Sequence, residues 1–328
     1  MTPRTGHETA RTPAGREGRM VPPAQPRSYY GNPVVNHPVW KPEIPLYFFT
    51  GGLAGASAPL AFVAGIRGED DLARRAALAA LGGALVSPAL LISDLGVPAR
   101  FLNMLRVFKV TSPMSVGAWI LASFGPAAAL SAAWRTTRLV PDRLGFAAEA
   151  SGAVLGPLLG TYTAALIANT AVPVWHEARL ELPFVFAGSC LTSAGAFGTV
   201  VAPHDQTGAA RRMAIAGAAI ELGAMRVMER RLGPLARPYH EGASGRLARL
   251  TTALTLAGGV GMAAAGRRRP RLAAASGALL LAGALAERWT IFKAGFASAD
   301  DPEATVAPQR RRALDRRRTA AVQALAAR

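Results

Sequence analysis

The chain has 328 residues, 51% of them apolar, and a formal net charge of +17. Once its long apolar runs are set aside no soluble basic domain remains, which excludes a nucleic-acid-binding fold and assigns the positive charge to tails and loops. A single cysteine, Cys190, excludes an internal disulfide and a cysteine-ligated iron–sulfur cluster, and none of the five histidines lies inside a predicted span to ligate haem.

Residues 1–36 carry Pro3, Pro13, Pro22, Pro23, Pro26 and several arginines, and read as a disordered tail without the apolar core of a secretory signal. Uncharged runs then cover 44–66, 76–93, 110–134, 150–176, 182–203 and 250–266. Crossing the hydrocarbon core takes roughly 17–25 apolar residues, so each run is long enough. Two further stretches, 209–228 and 271–292, have the right length but carry Glu221, Arg226, Glu287 and Arg288. Counting both gives about eight transmembrane spans, near 45–66, 76–94, 113–134, 147–172, 182–203, 209–228, 248–266 and 271–292. The runs lack the period-two alternation of barrel strands, and backbone polar groups in lipid must be satisfied internally. The expected fold is therefore an all-α integral membrane domain over residues 37–297. Ala and Gly recur in every span, which suits close helix packing in lipid.

An even number of spans puts both termini on one side of the membrane. Lys and Arg in the connecting loops favour one orientation and those in the tails the other, so the side stays open. Between the second and third spans, Phe101, Leu102, Met104, Leu105 and Phe108 repeat at helical spacing opposite Arg100, Asn103, Arg106 and Lys109. Residues 98–109 are thus predicted to form one interfacial amphipathic helix. Residues 298–328 form a second basic tail, disordered with helical potential over 313–327. Its triplets Arg310–Arg312 and Arg316–Arg318 suit lipid headgroups.

Ionisable groups inside a membrane are costly and are functional candidates for that reason. Asp94 ends the second span and is a proton-handling candidate, or else caps or pairs with Arg100 or Arg106. Glu221 in the sixth span is a second proton-handling candidate, or else half of a structural ion pair with a basic side chain. Glu149 lies near the start of the fourth span, and Glu287 and Arg288 read as interfacial. Cys190 reads as a small buried apolar residue.

Aromatic and polar groups gather on the membrane face that carries the termini. The first span is preceded by His37, Trp40, Lys41 and Glu43 and opens with Tyr47, and the fourth ends near Trp175 and His176. Such residues anchor helices at the interface, and they also furnish aromatic walls and titratable donors of the kind quinone chemistry requires. Tyr162, a mid-span tyrosine about three turns before Trp175, has reach toward this group.

Four segments carry a family resemblance. They are Pro45 to Gly55 in the first span, Ser93 to Leu105 running on through Thr111 to Trp119, Gly160 to Leu166, and Pro173 to His176 followed by Leu182-Pro183-Phe184. In these the chain resembles the NrfD / polysulfide-reductase membrane subunits over about residues 40–200. The resemblance implies two four-helix bundles side by side and no haem or iron–sulfur cluster in the chain. It also implies exchange of electrons between a membrane quinone, menaquinone or ubiquinone, and a ferredoxin-like iron–sulfur subunit that serves a molybdopterin catalytic subunit. The family's fourth-helix tyrosine corresponds to Tyr162, and its polar first-helix positions correspond to His37, Trp40 and Glu43. His176 joins the quinone-binding candidates from this sequence alone, and no metal ligands are expected. A transporter or proton-conducting channel is the alternative, though no inverted repeat is visible and intramembrane charges are few.

Overall fold

A computed structural model describes residues 34–95, 97–137, 139–266 and 268–326. The N-terminal tail expected over 1–36 lies outside the described residues except for 34–36. Among the described residues there are eleven α-helices, a few short 3-10 segments and no strand. In chain order they are α1 (Glu43–Ile66), α2 (Asp70–Asp94), α3 (Phe101–Met104), α4 (Pro113–Thr137), α5 (Asp142–Ala168) and α6 (Pro173–Glu177). These are followed by α7 (Leu182–Val201), α8 (Gly208–Leu232), α9 (Gly242–Ala265), α10 (Pro270–Asp300) and α11 (Pro302–Ala326).

Six helices are long and apolar enough to cross a membrane: α1, α2, α4, α5, α7 and α9. α8 and α10 are as long, and both carry buried charge. Helix ends follow the local sequence. Proline, whose missing N–H costs nothing in a first turn, opens α4, α6, α10 and α11. Gly233 and Gly266 end α8 and α9 at φ 56° and 52°, a left-handed conformation that a β-carbon disfavours. α1, α2, α4 and α5 each hold one interior proline, at 59, 88, 126 and 157. Such breaks are tolerated in a bundle because neighbouring helices can enclose the carbonyl four residues earlier that each proline leaves free.

α1 is the hub. It packs against α2, α5 and α7 and touches α10; α4 closes on α5 and α2, α8 on α7, and α9 on α10. The contact of α1 with α5 is set by two glycines. A β-carbon on Gly55 would stand 2.3 Å from the Gly156 carbonyl oxygen, and one on Gly156 would stand 2.1 Å from that of Gly55. Backbone therefore meets backbone, the contact that small residues allow in lipid. At the far end of α4 and α5 the Arg135 guanidinium grips Glu149, with Nη2 2.6 Å from Oε2 and Nε 3.1 Å from Oε1. The Ser131 hydroxyl donates to the same carboxylate at 3.4 Å.

Two expectations are corrected. The amphipathic helix predicted over 98–109 is a 3-10 turn at Pro98–Arg100 and a single α-turn, α3. Beyond Arg106 the backbone binds elsewhere: the Lys109 N–H donates to Ser115 Oγ and Ser115 Oγ donates to the Val107 carbonyl, both at 3.0 Å. The hydroxyl at the start of α4 thus takes the groups a longer helix would have paired. The described part of the tail, 298–326, is helical well beyond the stretch from 313 given helical potential above. α10 runs on to Asp300 and α11 is helical to Ala326, as suits a stretch rich in Ala, Arg and Gln. α11 is held by Arg312 to Glu177 at 3.1 Å and by Glu303 to Arg237 at 3.0 Å.

Candidate functional site

At one end of the helices the segment before α1, the C-terminus of α2, α6 and the last turns of α10 converge. Length explains how α10 reaches there. Its 31 residues span about 46 Å, long enough for its last turns to reach this end. Those turns carry Phe292, Phe296, Ser298 and Asp300.

Trp175 is the centre. It is fully buried on α6, and its indole N–H donates to the Ile291 carbonyl at 2.8 Å. Trp40 stacks on it with ring centroids 5.5 Å apart and 23° between planes. Phe292 and Phe296 pack against its other sides at 6.3 and 6.2 Å. Gly295 makes room: a β-carbon there would stand 2.0 Å from the indole ring. His37 Nε2 donates to Asp300 Oδ1 at 2.5 Å, and its ring meets Phe296 edge-on at 5.4 Å. His37 and Trp40 are therefore brought together with Trp175 through α10.

Asp94 joins the same end of the bundle. Its Oδ1 accepts the Lys41 N–H at 3.0 Å and so fixes the chain as it enters α1, rather than pairing with Arg100 or Arg106. Glu43 opens α1, half-buried and close enough to Asp94 for the two carboxylates to repel. Tyr162 on α5 packs against the same apolar core as Trp40, which is built around Ile44, Tyr47, Phe48, Trp175 and Phe186. Its ring lies over Gly117 of α4, where a β-carbon would stand 1.9 Å away.

His176 is turned elsewhere. It is exposed and lines a cleft of about 350 Å³ with Asn169, Thr170, Glu177, Gln309 and Arg312, apart from Trp40, Glu43 and Tyr162. Glu221 is further off, buried in α8 against α9 and α10. Its Oε1 accepts from the Thr255 hydroxyl at 3.3 Å, and its basic neighbour is Arg288, since Arg226 is exposed and nearest Glu229 at 3.9 Å. Glu287 and Arg288, read from the sequence as interfacial, are 2% and 1% exposed. The sequence could not reveal this, because their depth is set by α7, α8 and α9 closing around α10.

Tyr47 was read only as part of the polar entry to α1. It is fully buried in the same apolar core against which Trp40 packs, and its hydroxyl has no hydrogen-bond partner. A buried phenol needs one. Tyr47 and Tyr162 both belong to this core, which thus holds phenol hydroxyls and aromatic rings, groups chemically suited to a quinone's carbonyls and ring. Among the described residues no group of three or more His, Cys, Asp or Glu is placed to hold a metal ion.

No curated protein matches the chain significantly. A family model described as polysulfide reductase, NrfD_2, matches residues 27–299. With most of its length matched, and with all the apolar helices and the aromatic end of the bundle inside the match, this chain is a multi-pass membrane protein of the NrfD-type polysulfide reductase family.

Proposed function

We propose that the chain is the quinone-reactive membrane subunit of an oxidoreductase complex. In this reading eight helices span the membrane as two sets of four, α1, α2, α4 and α5 beside α7, α8, α9 and α10, with both ends of the chain on one side. A menaquinone or ubiquinone sits at the aromatic end of the bundle. A ferredoxin-like iron–sulfur subunit docks over α6 and α11 and serves a molybdopterin catalytic subunit. The single observation that carries the reading is the Trp40–Trp175 stack on the core that buries the partnerless Tyr47 hydroxyl.

The quinone supplies the electron-accepting or electron-donating ring. The chain's residues bind and orient it: Trp40 and Phe296 provide faces, and Tyr47 and Tyr162 provide hydroxyl donors. Glu43, half-buried at the mouth of the site, takes up or delivers the proton that accompanies electron transfer. Asp94 positions rather than reacts, because its carboxylate holds the Lys41 N–H that sets the start of α1. His37 is tied to Asp300 and steadies the same segment. His176 belongs to the outer cleft beneath α11, where it serves the docking face.

The test is quinone binding and turnover by the purified complex carrying Tyr162→Phe or Glu43→Gln. Both variants are expected to lose turnover with the complex still assembled. Wild-type turnover in both would remove these residues from the mechanism.

A further inference from the structure

A second concentration of chemistry lies away from the aromatic end, where α7, α8, α9 and α10 meet α1. Glu221, Glu287 and Arg288 are 2%, 2% and 1% exposed. Arg288 Nε stands 3.4 Å from Glu287 Oε2. Its Nη2 donates to the Phe186 carbonyl at 3.1 Å, and its guanidinium lies 3.8 Å over the Phe186 ring. The same Nη2 is 3.4 Å from Cys190 Sγ and would be 3.3 Å from a β-carbon on Gly52 of α1, so the cation occupies the middle of the assembly.

Charge counting shows what is missing. The ionisable and polar groups facing the cluster are Ser189 and Cys190 from α7, Glu221 from α8, Thr255 from α9, Glu287 and Arg288 from α10, and Tyr239 from the 3-10 segment Gly233–Tyr239. α1 presents Gly52 to the cluster. One guanidinium faces two carboxylates, so full ionisation would leave an unbalanced negative charge in a low-dielectric interior, at a cost of several kcal/mol. Glu221 Oε2, Glu287 Oε1 and Arg288 Nη1 are buried without a hydrogen-bond partner. A proton held by one of the two carboxyl groups would remove the imbalance.

The 3-10 segment Gly233–Tyr239 packs against both α8, which carries Glu229, and α10, which carries Glu287. Tyr239 is 1% exposed with an unpartnered hydroxyl. Glu229 Oε2 is 3.8 Å from Nε2 of His240, which is exposed. A phenol can relay a proton by accepting one at oxygen as it releases its own, and so never carries net charge.

We propose that Glu221 and Glu287 share one exchangeable proton beside Arg288, and that this proton reaches them from the His240–Glu229 surface through Tyr239. The step is a simple transfer: a proton leaves Glu229, the Tyr239 hydroxyl passes one on, and one carboxylate of the pair becomes a carboxylic acid. No electron moves, so the site stands independently of the quinone reading.

Infrared spectroscopy of the full chain in lipid nanodiscs, in sodium-free buffer at neutral pH, tests it. The wild type is expected to show a protonated-carboxyl C=O band that shifts in heavy water. Either Glu221→Gln or Glu287→Gln abolishes that band, because the remaining carboxylate is then balanced by Arg288. Arg288→Met strengthens it, because both carboxyl groups then hold protons. Tyr239→Phe keeps the band and slows its hydrogen–deuterium exchange. A wild type without the band, or a band retained in both glutamine variants, overturns the shared proton. A band that vanishes as one sodium ion binds per chain overturns it in favour of a metal cation. Unchanged exchange in Tyr239→Phe overturns the route. Where a variant fails to fold, the wild-type band and its response to sodium decide.

Discussion

Replacing Gly295 by alanine adds one methyl group to α10 and tests the packing on which the candidate site depends. The new β-carbon would lie 2.0, 2.2 and 2.4 Å from three atoms of the Trp175 ring. Non-bonded heavy atoms rest at about 3.5–4.0 Å, so the ring must retreat by about 1.5 Å. It cannot do so freely, because Trp40 covers one face and Phe292 and Phe296 close other sides. Overpacking of this kind costs about 1–3 kcal/mol. The displaced indole also loses its 2.8 Å bond to the Ile291 carbonyl, worth about 0.5–1.5 kcal/mol. The expected loss is about 2–4 kcal/mol. Trp40 loses its partner, and quinone affinity falls with it. Thermal unfolding in detergent measures the loss of stability, and tryptophan fluorescence reports the displaced indole, since a moved indole changes its emission. Gly295→Ala with wild-type stability and unaltered emission would refute the placement of Trp175 against α10.

Other outcomes follow from the same geometry. Gly117→Ala should turn the Tyr162 ring away from α4 and lower quinone turnover to the level of Tyr162→Phe, measured in the purified complex; full turnover would show that the hydroxyl's position is immaterial. Gly156→Ala forces α5 away from α1, because the β-carbon meets a carbonyl oxygen that cannot yield, and should cost about 1–3 kcal/mol or more in thermal unfolding. Arg135→Ala strands the Glu149 carboxylate, 2% exposed, and should destabilise by about 3–5 kcal/mol, whereas Arg135→Met with Glu149→Leu should recover most of it in a double-mutant cycle. Strictly additive losses would show that the two side chains do not interact.

The helical character of the chain was legible because it follows from properties that a single segment carries by itself. An uninterrupted apolar run has to satisfy its own backbone, so each run in the sequence contains a long helix wherever it lies in space. The resemblance rests likewise on local segments, and the family match covers them. Two local readings failed for tertiary reasons. The residues after α3 had helical periodicity, but the Ser115 hydroxyl from α4 takes their backbone groups. The stretch after α10 lacked an apolar period, yet α6 and the segment before α9 offer its helix ion-pair partners through Glu177 and Arg237.

At the aromatic end, the sequence displayed the right residue types near one another in order along the chain, without saying which would touch. Trp40 and Trp175 are far apart in the chain, and their stacking depends on α10 arriving with a glycine at position 295. His176 is Trp175's neighbour in sequence and faces a different cleft, because successive helical residues point in different directions. Adjacent charges late in α10 look the same in sequence whether they sit at a lipid boundary or at the centre of a bundle. By itself the sequence determined that this is an all-helical membrane chain of its family, since apolar length and short motifs are local. Only the tertiary structure decided that Glu287 and Arg288 are buried with Glu221 and that Tyr47 is fully buried in the core on which Trp40 packs, since depth is created by the helices that close around a residue.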